Sequence, residues 1–409
     1  MMPFLTDIAI NTLPVHFWRN QSVRRSEHTH SANRQLLIDV SEISRSDAGT
    51  GIQRVVRNFY QQLLADPPAG YQIRPIAATR KRFYGYLPTD FLQQPNATDI
   101  PFRPVQVSAE DLFFGLDLSA HLLPCHMAKL IEWRRQGIRM SFIIYDLLPV
   151  LQPDWFSGKN SKNFHRWLRS IAILADNAIA ISRTVQTDFA TWMQQTYNLN
   201  ASNLPCVIIH PGAEINSTLS TKADSPGQLP SDLVEQKFVL MVGTIEPRKG
   251  HECILNAFEN LWKKGEKTHL VIAGKQGWKV DAFILRLQTH PETGERLHWL
   301  NNLSDEVLQT LYQRCKGVIV ASKGEGFGLP LVEAIYFNKP VLARDIPVFR
   351  EIAGDNVSYF SNTEPDSLHN VLPAWLGESD IKNDALKPLT LLTWRESYKE
   401  LIKVLGNQQ

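Results

Sequence analysis

The feature that most constrains the fold is a unit that recurs along the chain: a short apolar run, a loop, then apolar positions at helical spacing. Leu36-Leu37-Ile38-Asp39-Val40 is followed by the loop from Ser44 to Gly51 and then by Ile52, Val55, Val56, Phe59, Leu63 and Leu64, the spacing of one buried helix face. Phe142-Ile143-Ile144-Tyr145 ends at Asp146, and Val207-Ile208-Ile209-His210 ends at Pro211-Gly212. Ala178-Ile179-Ala180-Ile181 ends at Ser182, which suits the N-cap of a helix from Arg183 to about Met193. Further strands are predicted over 238–242, 270–273, 317–320, 340–343 and 357–360, with helices near 251–264, 280–290, 304–314 and 328–337. Apolar runs separated by helices of this length imply a parallel sheet covered on both faces. Such sheets bind ligands beyond the carboxyl ends of their strands, so the loops that follow the strands are where chemistry should be sought.

A chain of 409 residues exceeds what a single core usually supports. Residues 213–235 are poor in apolar residues and rich in Ser, Thr, Pro and Gly, a linker composition. The predicted organisation is an irregular extension over 1–33, a Rossmann-like domain over 34–213, a linker over 214–235, a second Rossmann-like domain over 236–390 and a final helix over 391–409. Thr393 and Glu396 have the spacing of a capping box at the start of that helix.

Charge divides unevenly. Residues 1–200 carry 21 Lys+Arg against 16 Asp+Glu, and the remainder 22 against 25, for a net charge of +2. The basic first half is either scatter or a match to an anionic membrane surface or a phosphate-bearing substrate. A basic stripe with interleaved aromatics is missing from the sequence, so nucleic acid is not an expected partner. Cys125, Cys206, Cys253 and Cys315 have neither C-x-x-C spacing nor His at zinc spacing, which fits reduced thiols and a cytoplasmic location. The chain shows no signal-peptide pattern and no apolar run of about 18 residues, so membrane association is expected to be peripheral. Arg80-Lys81-Arg82-Phe83-Tyr84 reads as a solvated loop, or as a contact for a lipid-linked acceptor.

Two loops carry the chemistry. Gly243-Thr244-Ile245-Glu246-Pro247-Arg248-Lys249-Gly250 follows a strand and places two cations before a helix N-terminus, an arrangement suited to a diphosphate or to a solvated basic turn. Ser322-Lys323-Gly324-Glu325-Gly326-Phe327-Gly328-Leu329-Pro330-Leu331-Val332-Glu333-Ala334 again sets glycines between a strand and a helix, with Pro330 in the first turn. Its two carboxylates, Glu325 and Glu333, are separated by seven residues.

These residues resemble the donor-binding domain of the retaining glycosyltransferases of family 4, the group 1 glycosyltransferases, and among them bacterial O-antigen and exopolysaccharide mannosyltransferases. Besides the paired glutamates, the resemblance is carried by Gly243 to Gly250, Ile272-Ala273-Gly274-Lys275, Asp305 to Tyr312 and Phe349 to Gly354. It is strong over 236–406 and weaker over 35–212. It implies an α/β fold of GT-B type, two Rossmann-like domains facing a cleft, with the C-terminal helix crossing back to the N-terminal domain.

The resemblance also implies roles. Glu325, Arg248 and Lys249 form the catalytic set, with the cations on the donor diphosphate and Glu325 on the transferred sugar. Gly243, Thr244, Lys275, Gly326, Phe327, Gly328, Leu329 and Glu333 complete the donor site, Glu333 on the ribose. In the N-terminal half Gly49, Thr50 and Gly51 resemble the glycine loop that faces the donor, or form an ordinary helix start. Asp146 and Tyr145 are candidate sugar or acceptor contacts, with a strand-end cap the alternative for Asp146. Tyr145 stands where many members carry His, and Thr244 where many carry Arg. The expected partners are a nucleotide sugar, GDP-mannose foremost, and a saccharide or lipid-linked acceptor, at the inner face of the membrane. The alternatives are a UDP-sugar donor or a catalytically silent scaffold. No metal and no other cofactor is expected, since Arg, Lys and backbone amides can meet the charge of the leaving diphosphate.

Overall fold

A computed structural model of the chain describes residues 10, 12–19, 34–93, 101–215, 233, 236–361, 363–364, 366–377 and 391–406. Nearly all of the predicted linker over 214–235 lies outside the described residues. The chain divides into two compact units, one reaching to Pro211 and resuming at Trp394, the other spanning Gly212 to Thr393.

The N-terminal unit is built on seven strands: β1 (Arg34–Asp39), β2 (Tyr71–Thr79), β3 (Arg82–Tyr86), β4 (Leu112–Gly115), β5 (Arg139–Ile144), β6 (Asn177–Ala180) and β7 (Cys206–Ile208). Their order across the sheet is β3-β2-β1-β4-β5-β6-β7, and only the β2–β3 pair is antiparallel. β4 and β6 are buried along their whole length, as strands covered on both faces must be. The helix Gly51–Ala65 opens with a capping box, in which Thr50 Oγ1 accepts from Gln53 N (3.3 Å) and Gln53 Oε1 accepts from Thr50 N (3.2 Å). Ser182 caps the helix Arg183–Tyr197 as predicted, its Oγ accepting from Val185 N at 3.1 Å.

Two expectations are corrected in this unit. The extension is not patternless throughout: Val15–Arg19 is a helical turn that lies on the helix Gly158–Leu174. It buries Trp18 and is pinned by Arg19, whose Nη1 donates to Ala172 O (2.8 Å) and Ala175 O (2.9 Å). Nor is Arg80–Tyr84 a solvated loop. Only Arg80 and Lys81 form the turn of the β2–β3 hairpin, whereas Tyr84 is fully buried and its hydroxyl donates to Asp39 Oδ2 (2.8 Å).

The other unit holds six parallel strands: β8 (Phe238–Val242), β9 (His269–Ala273), β10 (Leu297–Leu300), β11 (Gly317–Val320), β12 (Val341–Arg344) and β13 (Ser358–Phe360), in the order β10-β9-β8-β11-β12-β13. The helices His251–Lys263, Asp281–Thr289, Asp305–Arg314 and Leu329–Tyr336 fall where the apolar spacing predicts them. Ile254, Phe258, Leu270, Ile272, Ile319, Leu342 and Trp375 share its core.

The final helix, Trp394–Gly406, packs on Gly51–Ala65 and so belongs to the N-terminal unit. Trp394 meets Phe59 edge-on at 5.6 Å, the Tyr398 hydroxyl donates to Asp66 O, and Ser397 Oγ donates to His210 O (2.5 Å). This is the return of the last helix that the resemblance implies.

Candidate active site

In each sheet the chain winds outward in both directions from a central pair of strands, and the crevice beyond the carboxyl ends at that reversal is the preferred ligand position of open α/β sheets. In the second unit the pair is β8 and β11. The two loops singled out by their chemistry are the ones that leave these strands.

The backbone shapes both loops. Gly250 adopts φ +76°, and a Cβ there would stand 2.5 Å from Ala321 O; Gly328 adopts φ +99°, and a Cβ would meet Phe349 Cε1 at 2.7 Å. Only glycine provides both the left-handed conformation and the clearance. The two loops are thereby held against each other, and Lys323 N donates to Arg248 O (2.7 Å) across them.

Their charged side chains meet in one cluster. Arg248 Nη1 donates to Glu325 Oε2 (2.7 Å) and to Gly324 O (2.9 Å), while its Nη2 lies 2.7 Å from Glu246 Oε1. Lys249 Nζ is bonded to Glu325 Oε1, which also accepts from Ser322 Oγ (2.7 Å). Burial alone would push the Glu325 carboxyl up, but Arg248, Lys249 and the bonds from Lys249 and Ser322 outweigh it and hold the group down to about 2. Two cations and two carboxylates thus compensate one another at the switch point.

Arg248, Lys249 and Glu325 are brought together as expected; the other named residues are placed as follows. Gly243, at φ +139°, lies under the Lys249 side chain. Thr244 follows it, half-buried. Lys275 is exposed after β9, with its carbonyl accepting from Ile245 N (2.8 Å). Gly326 and Phe327 are buried, and Gly328 and Leu329 start the helix that carries Glu333. Glu333 is 2% exposed, and its Oε2 accepts from the Tyr312 hydroxyl (2.7 Å). Glu246 and Ser322 were part of the quoted loops, yet their places in the charge cluster were not foreseen. The two-residue spacing of Glu246 and Arg248 across Pro247 was the available signal.

In the N-terminal unit the loop Asp47–Gly51 has the geometry of a helix start. The Gly49 amide donates to Asp47 Oδ1 (3.1 Å) and the Thr50 amide to Gln53, while Gly51 is the first helical residue. Asp146 Oδ1 accepts from Leu148 N (3.0 Å), closing the turn after β5. Tyr145, the other candidate sugar contact, is 3% exposed and its hydroxyl donates to Leu116 O (2.6 Å).

Two buried carboxylates at the β1–β4 switch point of this sheet were not foreseen. Asp39 accepts from the hydroxyls of Ser41 (2.5 Å), Tyr84 (2.8 Å) and Ser119 (2.7 Å), and burial pushes its carboxyl up. Asp117 accepts from Glu42 N (2.9 Å), Ile43 N (2.7 Å) and Leu118 N (2.9 Å). Burial, with Asp39 and Glu42 nearby, pushes it up to about 7 against these amide bonds. Both fix the loops after β1 and β4.

The two doubly wound sheets and the final helix that returns to the first unit are the architecture of the GT-B fold. Residues 230–387 match the family described as glycosyl transferases group 1, so the chain carries a glycosyltransferase domain of that group. Over 381 residues, 91% of the chain, it is 36% identical to the serotype-specific mannosyltransferase WbdA of Escherichia coli, but it covers only 46% of that protein. The chain thus spans about half the length of this relative. A second relative, the O-antigen chain mannosyltransferase RfbU of Salmonella typhimurium, is 23% identical over 271 residues, 64% of the chain and 67% of the relative. Among solved structures, Anabaena Alr3699/HepE in complex with UDP and glucose superposes with a TM-score of 0.62 at 15% identity, covering 91% of this chain and all of that one. Sucrose-phosphate synthase from Thermosynechococcus elongatus gives 0.59 at 16%, covering 91% and 98%. At these identities the superpositions speak for the fold alone.

Proposed function

We propose that the chain transfers a hexose, mannose from GDP-mannose, to a saccharide or lipid-linked saccharide acceptor in the assembly of a surface polysaccharide, with retention of anomeric configuration. The observation that carries this reading is the Arg248–Lys249–Glu325 cluster at the switch point of the second unit, supported by 36% identity to a mannosyltransferase.

Arg248 and Lys249 are placed to take the diphosphate, and stabilising the charge that develops on it lowers the barrier to its departure. Because two fixed cations serve this purpose, transfer proceeds without a metal ion. The acceptor oxygen attacks the anomeric carbon from the face the diphosphate leaves, forming the new glycosidic bond as the old one breaks, and its proton passes to a leaving phosphate oxygen. Glu325, ionised throughout, orients the sugar and stabilises the electron-poor anomeric centre. Glu333 holds the ribose, and the amides of Gly326 to Leu329 line the donor with Gly243, Thr244 and Lys275. Among the described residues no helix is long and apolar enough to cross a membrane, and a lipid-linked acceptor would be met by peripheral contact of the basic N-terminal unit.

The test is a thermal-shift series with GDP-mannose, GDP, UDP-glucose and UDP, each with and without EDTA, followed by NMR of the glycosidic product. Shifts confined to the guanine compounds, insensitive to EDTA, and an α-linked product are expected. A shift with uridine compounds alone would overturn the donor. Loss of turnover in EDTA would overturn the metal-independent step, and no shift with any nucleotide would overturn the enzyme reading.

A further inference from the structure

The N-terminal unit contains a cavity that the donor chemistry leaves unused. Its volume is about 250 Å3, below the about 300–1,000 Å3 of pockets that hold drug-sized ligands, so it suits one compact group and not a nucleotide sugar. Four separate stretches of chain build it: Ile10, the β2–β3 turn at Arg80, the segment Ala120–Met127 and the helix Gly158–Leu174.

The polar wall is cationic. It presents Arg80, Arg166, Arg169 and His121 together with Asn163 and Ser170, and no carboxylate lines it among the described residues. Arg169 is half-buried and held in place by two main-chain carbonyls, its Nη2 donating to Ile10 O (2.8 Å) and Leu13 O (2.5 Å). Those bonds orient the guanidinium without neutralising it. Arg80 and Arg166 make no ion pair or side-chain hydrogen bond with any described residue, and neither does the Asn163 amide. The His121 Nδ1 lies 3.3 Å from Glu42 Oε1, so the excess charge rests on the three arginines. Burial, Arg45, Arg80 and Lys159 all push the His121 imidazole down, the response of a titratable group to a positive field. Met127 and Ile173 give the cavity an apolar side.

Guanidinium groups in a partly closed pocket match the geometry of phosphoryl oxygens. We propose that this cavity binds the phosphoryl group of the acceptor, a phosphate ester with an apolar substituent, on a site built wholly by the N-terminal unit. The identification of the ligand as an acceptor rests on the glycosyl-transfer reading; the phosphoryl chemistry of the pocket does not.

Isothermal titration of the full chain with inorganic phosphate and with farnesyl phosphate, at low and moderate salt, tests it, using wild type, the double variant Arg80→Gln/Arg166→Gln and Asn163→Asp. GDP is titrated into the same samples. Wild type is expected to bind a phosphoryl probe in a salt-sensitive manner, with both variants weakened roughly tenfold or more and GDP binding unchanged, which also shows that they fold. Tighter binding of farnesyl phosphate than of phosphate is expected and would identify a lipid-borne group as the source; equal binding would overturn the apolar substituent. Binding by the variants within twofold of wild type, or no binding of either probe by wild type, would overturn the proposal. Phosphoryl binding without GDP binding would instead overturn the donor reading and leave the pocket standing.

Discussion

Glu325 pairs with the two cations that the proposed reaction assigns to the donor diphosphate, and replacing it with Gln should therefore tighten nucleotide binding while it abolishes transfer. Arg248 and Lys249 are balanced by Glu246 and Glu325. A diphosphate seated on the same cations would lie roughly 6–8 Å from the Glu325 carboxylate, where like charges repel by about 2–3 kcal/mol at an effective dielectric of about 20. Screening by salt reduces this to about 1.4 kcal/mol, which corresponds to about tenfold tighter binding of GDP to Glu325→Gln. The free protein should respond in the opposite sense. A carboxyl held at about 2 favours its ionised form by about 3 kcal/mol, so the variant should melt roughly 6–12 °C lower. In wild type that contribution is present above the unfolded carboxyl range near pH 4.5 and is lost as pH falls toward 2, because the folded group is the harder one to protonate. Titration calorimetry with GDP, scanning calorimetry of the free protein and a transfer assay together decide it. GDP affinity that falls, or stays within twofold of wild type, would refute the competition between carboxylate and diphosphate.

Three further outcomes follow from the geometry. Asp117, pushed up to about 7, contributes stability below about pH 4 that is lost as pH rises through 7; urea unfolding of Asp117→Asn should therefore lack most of the decline, up to about 4 kcal/mol, that wild type shows across that window. Gly250→Ala brings a Cβ to 2.5 Å from Ala321 O at φ +76°, whereas Gly265→Ala, at φ +95°, meets open space; the first should cost at least about 2 kcal/mol more than the second and weaken GDP binding, and equal costs would remove the close contact from consideration. Tyr145→Phe removes one buried hydrogen bond and should cost about 1 kcal/mol in thermal unfolding with turnover nearly unchanged; a tenfold loss of turnover would return the residue to the sugar site.

The sequence was most legible where burial is two-sided. β8 and β11 are unbroken apolar runs between helices of regular spacing, and their limits were read to the residue. β2 was missed because Gln72, Arg74 and Pro75 interrupt its apolar positions, and β10 because Leu-His-Trp-Leu at a sheet edge lacks a continuous run. In the stretch from Arg80 to Tyr84 the local charges concealed a buried tyrosine whose hydroxyl donates to Asp39, more than forty residues away. The same division runs through the site. Arg248, Lys249 and Glu325 lie in two compact motifs, whereas the cationic cavity draws its wall from four segments that only the tertiary fold assembles.

The place of the helix Trp394–Gly406 bears on how the chain reaches its folded state. The N-terminal unit, synthesised first, lacks the surface that covers Phe59 and Asp66 until residues 394–406 have been made. The whole second unit intervenes. Yet its two ends are joined by a bond from Ala213 N to Leu392 O (3.0 Å). Once that unit has folded, the final helix is delivered as though it followed residue 211 through a short connection, and the entropy of closing a long loop has already been met within the second unit. Prior folding of the second unit would therefore lower the entropic cost of seating the final helix on Phe59 and Asp66.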